Sequence, residues 1–248
     1  MNAQQFKKAR AADLNRAADV LESVFTGIDT SQIRIASASL TTTSPTLKNG
    51  TTNANLWGYE IEDLKIPVHT TRHLKPKEIN NQNLELLLSM KMVANLNEWE
   101  KLVDPIIELN FKVIIRGVSD KGTHYFCFHI DKHDNSTTTD EPHPTYHLQF
   151  TNDPYKEATF DYGSTLILDT PRIIHHPVDL ILGVGFLASN FCPSAFESMM
   201  DDGYFLSVYK TYQKSILRPY FHTISSHWDF DASKLSWTRN DLCPTIIT

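Results

Sequence analysis

At 248 residues, with 41% hydrophobic and 21% charged side chains, the chain has the make-up of a folded globular protein and is long enough for one large domain. Its net charge of −6 argues against a general nucleic-acid binder, since a phosphate backbone rewards clustered Lys and Arg. Cys127, Cys192 and Cys243 make an odd set with no CxxC pair. No signal-type start is visible, and the most apolar run, Val178 to Phe191, falls short of the about 20 residues a membrane span needs. A reducing, cytoplasmic setting is expected, without a disulfide framework.

Residues 3 to 25 predict a helix, because Leu14, Ala17, Ala18, Leu21, Val24 and Phe25 recur at helical spacing and Gly27 is placed to end it. Gln32 to Thr43 leans towards strand. A Ser/Thr/Asn-rich turn from Thr41 to Asn55 then leads to a second strand over Leu56 to Leu64. Leu84 to Val93 fits either period, and Glu98 to Leu102 predicts one helical turn before Pro105.

Ile107 to Val118 is a strand. Ile107, Leu109, Phe111, Val113 and Ile115 alternate with Glu108, Asn110, Lys112, Ile114 and Arg116. Ser119-Asp120-Lys121-Gly122 turns the chain back as a hairpin. On the return strand, period two puts Phe126, Phe128 and Ile130 on the core side and Tyr125, Cys127, His129 and Asp131 opposite. After a polar loop, Tyr146, Leu148 and Phe150 repeat the apolar face and leave His147, Gln149 and Thr151 on the other. Ser164 to Asp169 repeats the pattern weakly.

Val178 to Phe191 is apolar on all sides and predicts a buried helix starting near Pro177, with a strand as the alternative and Pro193 closing it. Phe196 to Leu217 predicts one or two further helices, and Tyr220 to Trp228 follows Pro219. The expected class is therefore α+β: an N-terminal helix, a mainly antiparallel β-sheet and a helical C-terminal third. The expected organisation is one domain over 1–248, sheet-rich at 30–170 and helical at 177–228.

The candidate chemistry lies between Thr123 and Thr151, which holds five of the eleven histidines: His124, His129, His133, His143 and His147. His129 and Asp131 are two apart on a strand, so they point to one side with Cα atoms roughly 6.5–7 Å apart. His147, on the matching face of the next strand, supplies a second imidazole. Two histidines and a carboxylate are the set used by non-haem iron and by catalytic zinc with an open position. The expected cofactor is thus a divalent metal (zinc, iron or manganese) held by His129, Asp131 and His147. His133 and His143, on the connecting loop, are candidates for acid–base work because an imidazole titrates near neutrality. The plainer alternative is that these residues decorate a solvated sheet face beside Lys112 and Arg116.

A second candidate is the start of the buried helix, where backbone N–H groups attract anions and Arg172 and His176, with His175, would add donors. There is no P-loop, GxGxxG or GxSxG motif.

The H-x-D pattern His129-Ile130-Asp131 resembles, over those three residues, the motif of Fe(II)/2-oxoglutarate oxygenases. That resemblance implies a later histidine, His175 or His176, and an arginine gripping the cosubstrate. The chain departs from the pattern in having no arginine at a suitable distance in a following strand.

Three functions follow. The first is a metal-dependent enzyme, hydrolytic in the first instance and oxygenase-like in the second. Another is a non-catalytic component of an assembly, docking a protein partner through the aromatic helical third, where Tyr204, Phe205, Tyr209, Tyr212, Tyr220 and Phe221 are either core or an interface surface. The least supported, given the acidic balance, is a nucleic-acid enzyme recruited by Lys112 and Arg116.

Overall fold

The structure is a computed structural model that describes residues 2–69, 77–80, 84–133, 144–151, 172–228 and 245–247. Helix α1, Ala3–Val24, starts at a capping box in which Asn2 and Gln5 satisfy each other's backbone N–H groups. Its face of Leu14, Ala17, Ala18 and Leu21 is fully buried. The next segment is a helix, α2 (Ser31–Thr42), where the sequence leans towards strand and the sheet-rich region is expected from residue 30. Ile33, Ala36, Ser37 and Leu40 recur at helical spacing and are all buried. Ser37 Oγ donates to the Ala11 carbonyl at 2.8 Å and locks the two helices together.

Six strands follow: β1 (Leu56–Ile66), β2 (Leu84–Asn95), β3 (Ile106–Ser119), β4 (Gly122–Lys132), β5 (Tyr146–Phe150) and β6 (Arg172–Ile174). They form one antiparallel meander in the order β1-β2-β3-β4-β5-β6. Leu84 to Val93, which suits both periods, is a strand because its alternate residues Leu86, Leu88, Met90 and Met92 have a core to enter. Glu98 to Leu102 forms turns rather than a helical turn. The predicted strand Ser164 to Asp169 lies outside the described residues.

The apolar run resolves as helix α3 (Leu180–Phe191), capped by Asp179 rather than opened by Pro177. It ends at Phe191, two residues before Pro193, which sits in the first turn of α4 (Pro193–Asp201). Then come α5 (Gly203–Tyr212), a π-helical turn at Gln213–Leu217 and α6 (Arg218–Ser225). The helices cover one face of the sheet. Gly183 of α3 lies against Phe111 of β3 so closely that a Cβ would stand 2.3 Å from the ring. Tyr59 of β1 donates to Asp179 at 3.1 Å, and Phe6, Trp57, Trp99 and Tyr212 interlock edge to face.

The aromatic set that suits either core or interface divides across this helical layer. Phe205, Tyr209 and Tyr212 are buried, while Tyr204 and Phe221 remain exposed. Among the described residues, no helix is long and apolar enough to cross a membrane. Cys127 and Cys192 are buried, and Cys243 lies outside the described residues.

Candidate metal centre

The sheet face turned away from the helices carries the candidate site, and strand register assembles it. The tight turn at residues 119–122 pairs β3 with β4 so that Asn110 faces Asp131 and Lys112 faces His129. The next pairing places His147 opposite Asp131 and Gln149 opposite His129. Directly paired residues share a face at Cβ separations of about 4.5–5.5 Å, so His129, Asp131 and His147 occupy neighbouring corners of one small patch.

Their side chains converge. One ligand-type atom from each of the three lies within 4.8 Å of the others. His147 Nε2 is 3.1 Å from Asp131 Oδ1, and His129 Nε2 is 3.8 Å from Asp131 Oδ2. Nitrogen and oxygen ligands bound at about 2.0–2.2 Å stand about 3.0–3.5 Å apart around a shared cation. Of the two separations, 3.1 Å lies within that range and 3.8 Å lies above it, so the three residues fit a divalent ion with an inward adjustment of His129.

The hydrogen-bond pattern supports the same conclusion. Asp131 Oδ1 is buried and accepts no hydrogen bond, although His147 Nε2 lies close by. His147 Nδ1 is 3.3 Å from the Pro144 carbonyl, which can only accept, so that nitrogen carries a hydrogen. His147 Nε2 then faces the Asp131 carboxylate at 3.1 Å. A ring nitrogen and a carboxylate oxygen placed in this way can share a cation, and the Nδ1 contact is the usual orienting partner of a metal-binding imidazole.

Burial grades across the patch. The His147 side chain is 2% exposed, that of His129 22% and that of Asp131 31%. One wall is therefore sealed, while the other admits solvent or a ligand.

The remaining sequence candidates fall elsewhere. His133 ends the β4 run, bonded through its backbone N–H to Thr145, and lines a shallow cleft with Lys48, Asn49 and Glu108. His143 lies outside the described residues. The helix start read as an anion site is already filled: Asp179 is fully buried and accepts from Leu182 N at 2.9 Å. His175 and His176 stack on each other at 4.3 Å, and His175 meets Phe186 of α3, so neither joins the converging group. Burial lowers both of their pKa values.

Arg172 is not at the helix start but on β6, paired with Gln149. That pairing extends the His129 row, so Lys112, His129, Gln149 and Arg172 lie side by side across four strands. Alternation places Lys112 and Gln149 on the polar face, but their alignment beside the histidines appears only with the cross-strand register.

Comparison with known proteins gives no relative: no protein-family model, curated protein or solved structure matches this chain.

Proposed function

We propose that this chain is a metal-dependent hydrolase whose divalent cation is held by His129, Asp131 and His147. The observation that carries the reading is the convergence of His129, Asp131 and His147, with one ligand-type atom from each within 4.8 Å of the others beside the buried Asp131 Oδ1. A buried carboxylate oxygen that accepts no hydrogen bond is unfavourable unless something positive sits beside it. Three protein ligands leave coordination positions open, as in catalytic rather than closed structural sites. A cation bound there supplies Lewis-acid polarisation of a substrate oxygen and a more acidic water.

The chain's own residues supply the rest. His147, buried and oriented by the Pro144 carbonyl, is the fixed corner of the site. Asp131 contributes the negative charge that selects a cation, and the more exposed His129 stands at the rim where a substrate enters.

The test is metal uptake by the full chain, offered zinc, manganese, cobalt and, anaerobically, iron(II). Elemental analysis and the cobalt absorption spectrum are read alongside hydrolysis of a p-nitrophenyl ester panel. One equivalent per chain is expected, lost in Asp131→Asn and in His147→Ala, with ester cleavage abolished by chelation and restored by metal. A wild-type chain as metal-free as both variants under saturating metal overturns the reading. Selective iron(II) uptake with oxygen consumption and no ester cleavage would move it to the oxygenase class, which uses the same donor set.

A further inference from the structure

Beside the candidate centre the sheet carries two lysines that no carboxylate neutralises. Building on the metal centre proposed above, we infer that its substrate is an ester bearing a second, anionic group next to the bond that is cleaved. Lys112 lies directly opposite His129, and Asn110 directly opposite Asp131. Lys91 of β2 lies opposite Asn110 in turn. Directly paired residues share a face, so Lys91, Asn110 and Lys112 border the metal ligands on their β2 side. Lys91 and Lys112 are diagonal neighbours, about 7–8 Å apart, and both are half-buried. One anionic group can meet both ammonium groups at that spacing.

Charge separates these two lysines from the other cations that β1 to β3 place on this face. Lys65 and Arg116 are both engaged by Glu85. Among the described residues, no carboxylate lies within ion-pairing distance of Lys91 or Lys112. Glu60 lies across from Lys91 on β1 but is exposed and does not pair with it. Asp63 accepts a hydrogen bond from Ser89 at 3.0 Å. The exposed Asn110 amide adds a neutral donor between the two lysines.

Two ammonium groups held side by side repel each other, and an anion between them relieves that repulsion. A divalent ion on two neutral imidazoles and one carboxylate retains a net positive charge. With Lys91 and Lys112 beside it, the patch is a positive concentration on a chain whose net charge is −6, and it draws anions to that place. The cation takes the oxygen at the bond to be cleaved, and the lysines take the charge next to it, which fixes the end of the substrate that faces His129. Lysine acts as a point charge rather than a fork, so a carboxylate and a phosphoryl group both meet its requirement.

The experiment is calorimetric titration of the metal-loaded full chain with butyrate, glutarate and 3-phosphonopropionate. All three offer the cation one carboxylate, and the last two add a second anionic group at the far end. Wild type is compared with Lys91→Gln, Lys112→Gln, the double variant and Lys112→Arg, and metal content is measured for every sample. At least one of the doubly anionic ligands should bind wild type about tenfold more tightly than butyrate, and the one that gains more tells a carboxylate-bearing substrate from a phosphoryl-bearing one. Each glutamine variant should cut that advantage about threefold, as ion pairs near a surface do. The double variant should abolish it and Lys112→Arg should keep it, all with metal content unchanged. Cleavage of mono-p-nitrophenyl glutarate relative to p-nitrophenyl butyrate should follow the same order in kcat/KM. An advantage that is absent in wild type or undiminished in the double variant overturns this inference and leaves the metal centre standing. A wild-type chain that takes up no metal removes the metal reading and this inference with it.

Discussion

Replacing Asp179 with asparagine should change how the protein's stability responds to pH. Asp179 is fully buried, accepts from Leu182 N at 2.9 Å and from the Tyr59 hydroxyl at 3.1 Å, and faces phenols of Tyr59, Tyr209 and Tyr212. Desolvation outweighs the hydrogen bonds and raises its pKa from 3.8 to about 7. At about 1.4 kcal/mol for each pH unit, that difference corresponds to about 4 kcal/mol.

The native carboxyl keeps its proton over a range where the unfolded one has lost it. Stability is therefore unaffected below about pH 4, falls as pH rises towards 7, and stays level above that. Asparagine has no charge to bury, so the variant lacks this slope. Urea unfolding of both proteins from about pH 4 to about pH 8 should show the difference in stability moving in the variant's favour by about 4 kcal/mol. Taking the difference cancels the other carboxylates, such as Glu85 and Asp202, whose lowered pKa values act in the opposite sense. A difference constant across the whole range would refute the argument that burial, rather than hydrogen bonding, governs this group.

Other perturbations probe the same framework. His175, lowered from 6.5 to about 4 mainly by burial and next by His176, supports stability above pH 6.5 that is lost as pH falls towards 4. His175→Phe should remove up to about 3 kcal/mol of acid sensitivity in the same unfolding assay. Gly183→Ala would set a Cβ 2.3 Å from the Phe111 ring and should lower stability by about 1–3 kcal/mol despite alanine's better helix propensity. Adding Phe111→Leu should recover part of that loss, and a second variant less stable than the first would count against the contact. Arg10 lies over the rings of Phe6, Trp99 and Tyr212 at 5.2, 5.3 and 5.5 Å and pairs with Asp13 at 2.8 Å. Arg10→Leu should destabilise by roughly 3–5 kcal/mol because it removes the cation beside a buried carboxylate, and the double replacement Arg10→Leu/Asp13→Leu should restore much of it, as read by thermal unfolding.

Periodicity carried the fold class, because a half-buried sheet enforces alternation and an amphipathic helix enforces its own spacing. Leu109, Phe111, Val113, Phe128 and Ile130 all enter the core as alternation requires. It failed where two periods coexist: the β-branched and threonine-rich run at 32–43 suits a strand by composition, yet Ile33, Ala36 and Leu40 share a helical stripe that packs on α1. Sidedness also says nothing about what covers a face. Phe126 and Phe150 are on the helix side but remain 47% and 36% exposed, whereas Cys127, His147, Gln149 and Thr151 on the opposite side are buried. The three converging residues were legible because a strand puts i and i+2 together. Arg172 was misplaced because its neighbours are set by cross-strand pairing, which no local pattern encodes.

The two-residue reversal between β3 and β4, closed by Gly122 at φ 132, has a bearing on heredity as well as geometry. One residue gained or lost there would exchange the two faces of β4, sending His129 and Asp131 into the helical layer and Phe128 and Ile130 out of it. Two residues gained would preserve the faces but slide the return strand along its partner. Substitutions can therefore retune the rows one position at a time, while length changes at this corner dismantle the constellation in one step. Lineages that keep His129, Asp131 and His147 together should vary in the wording of that corner and hold its length fixed.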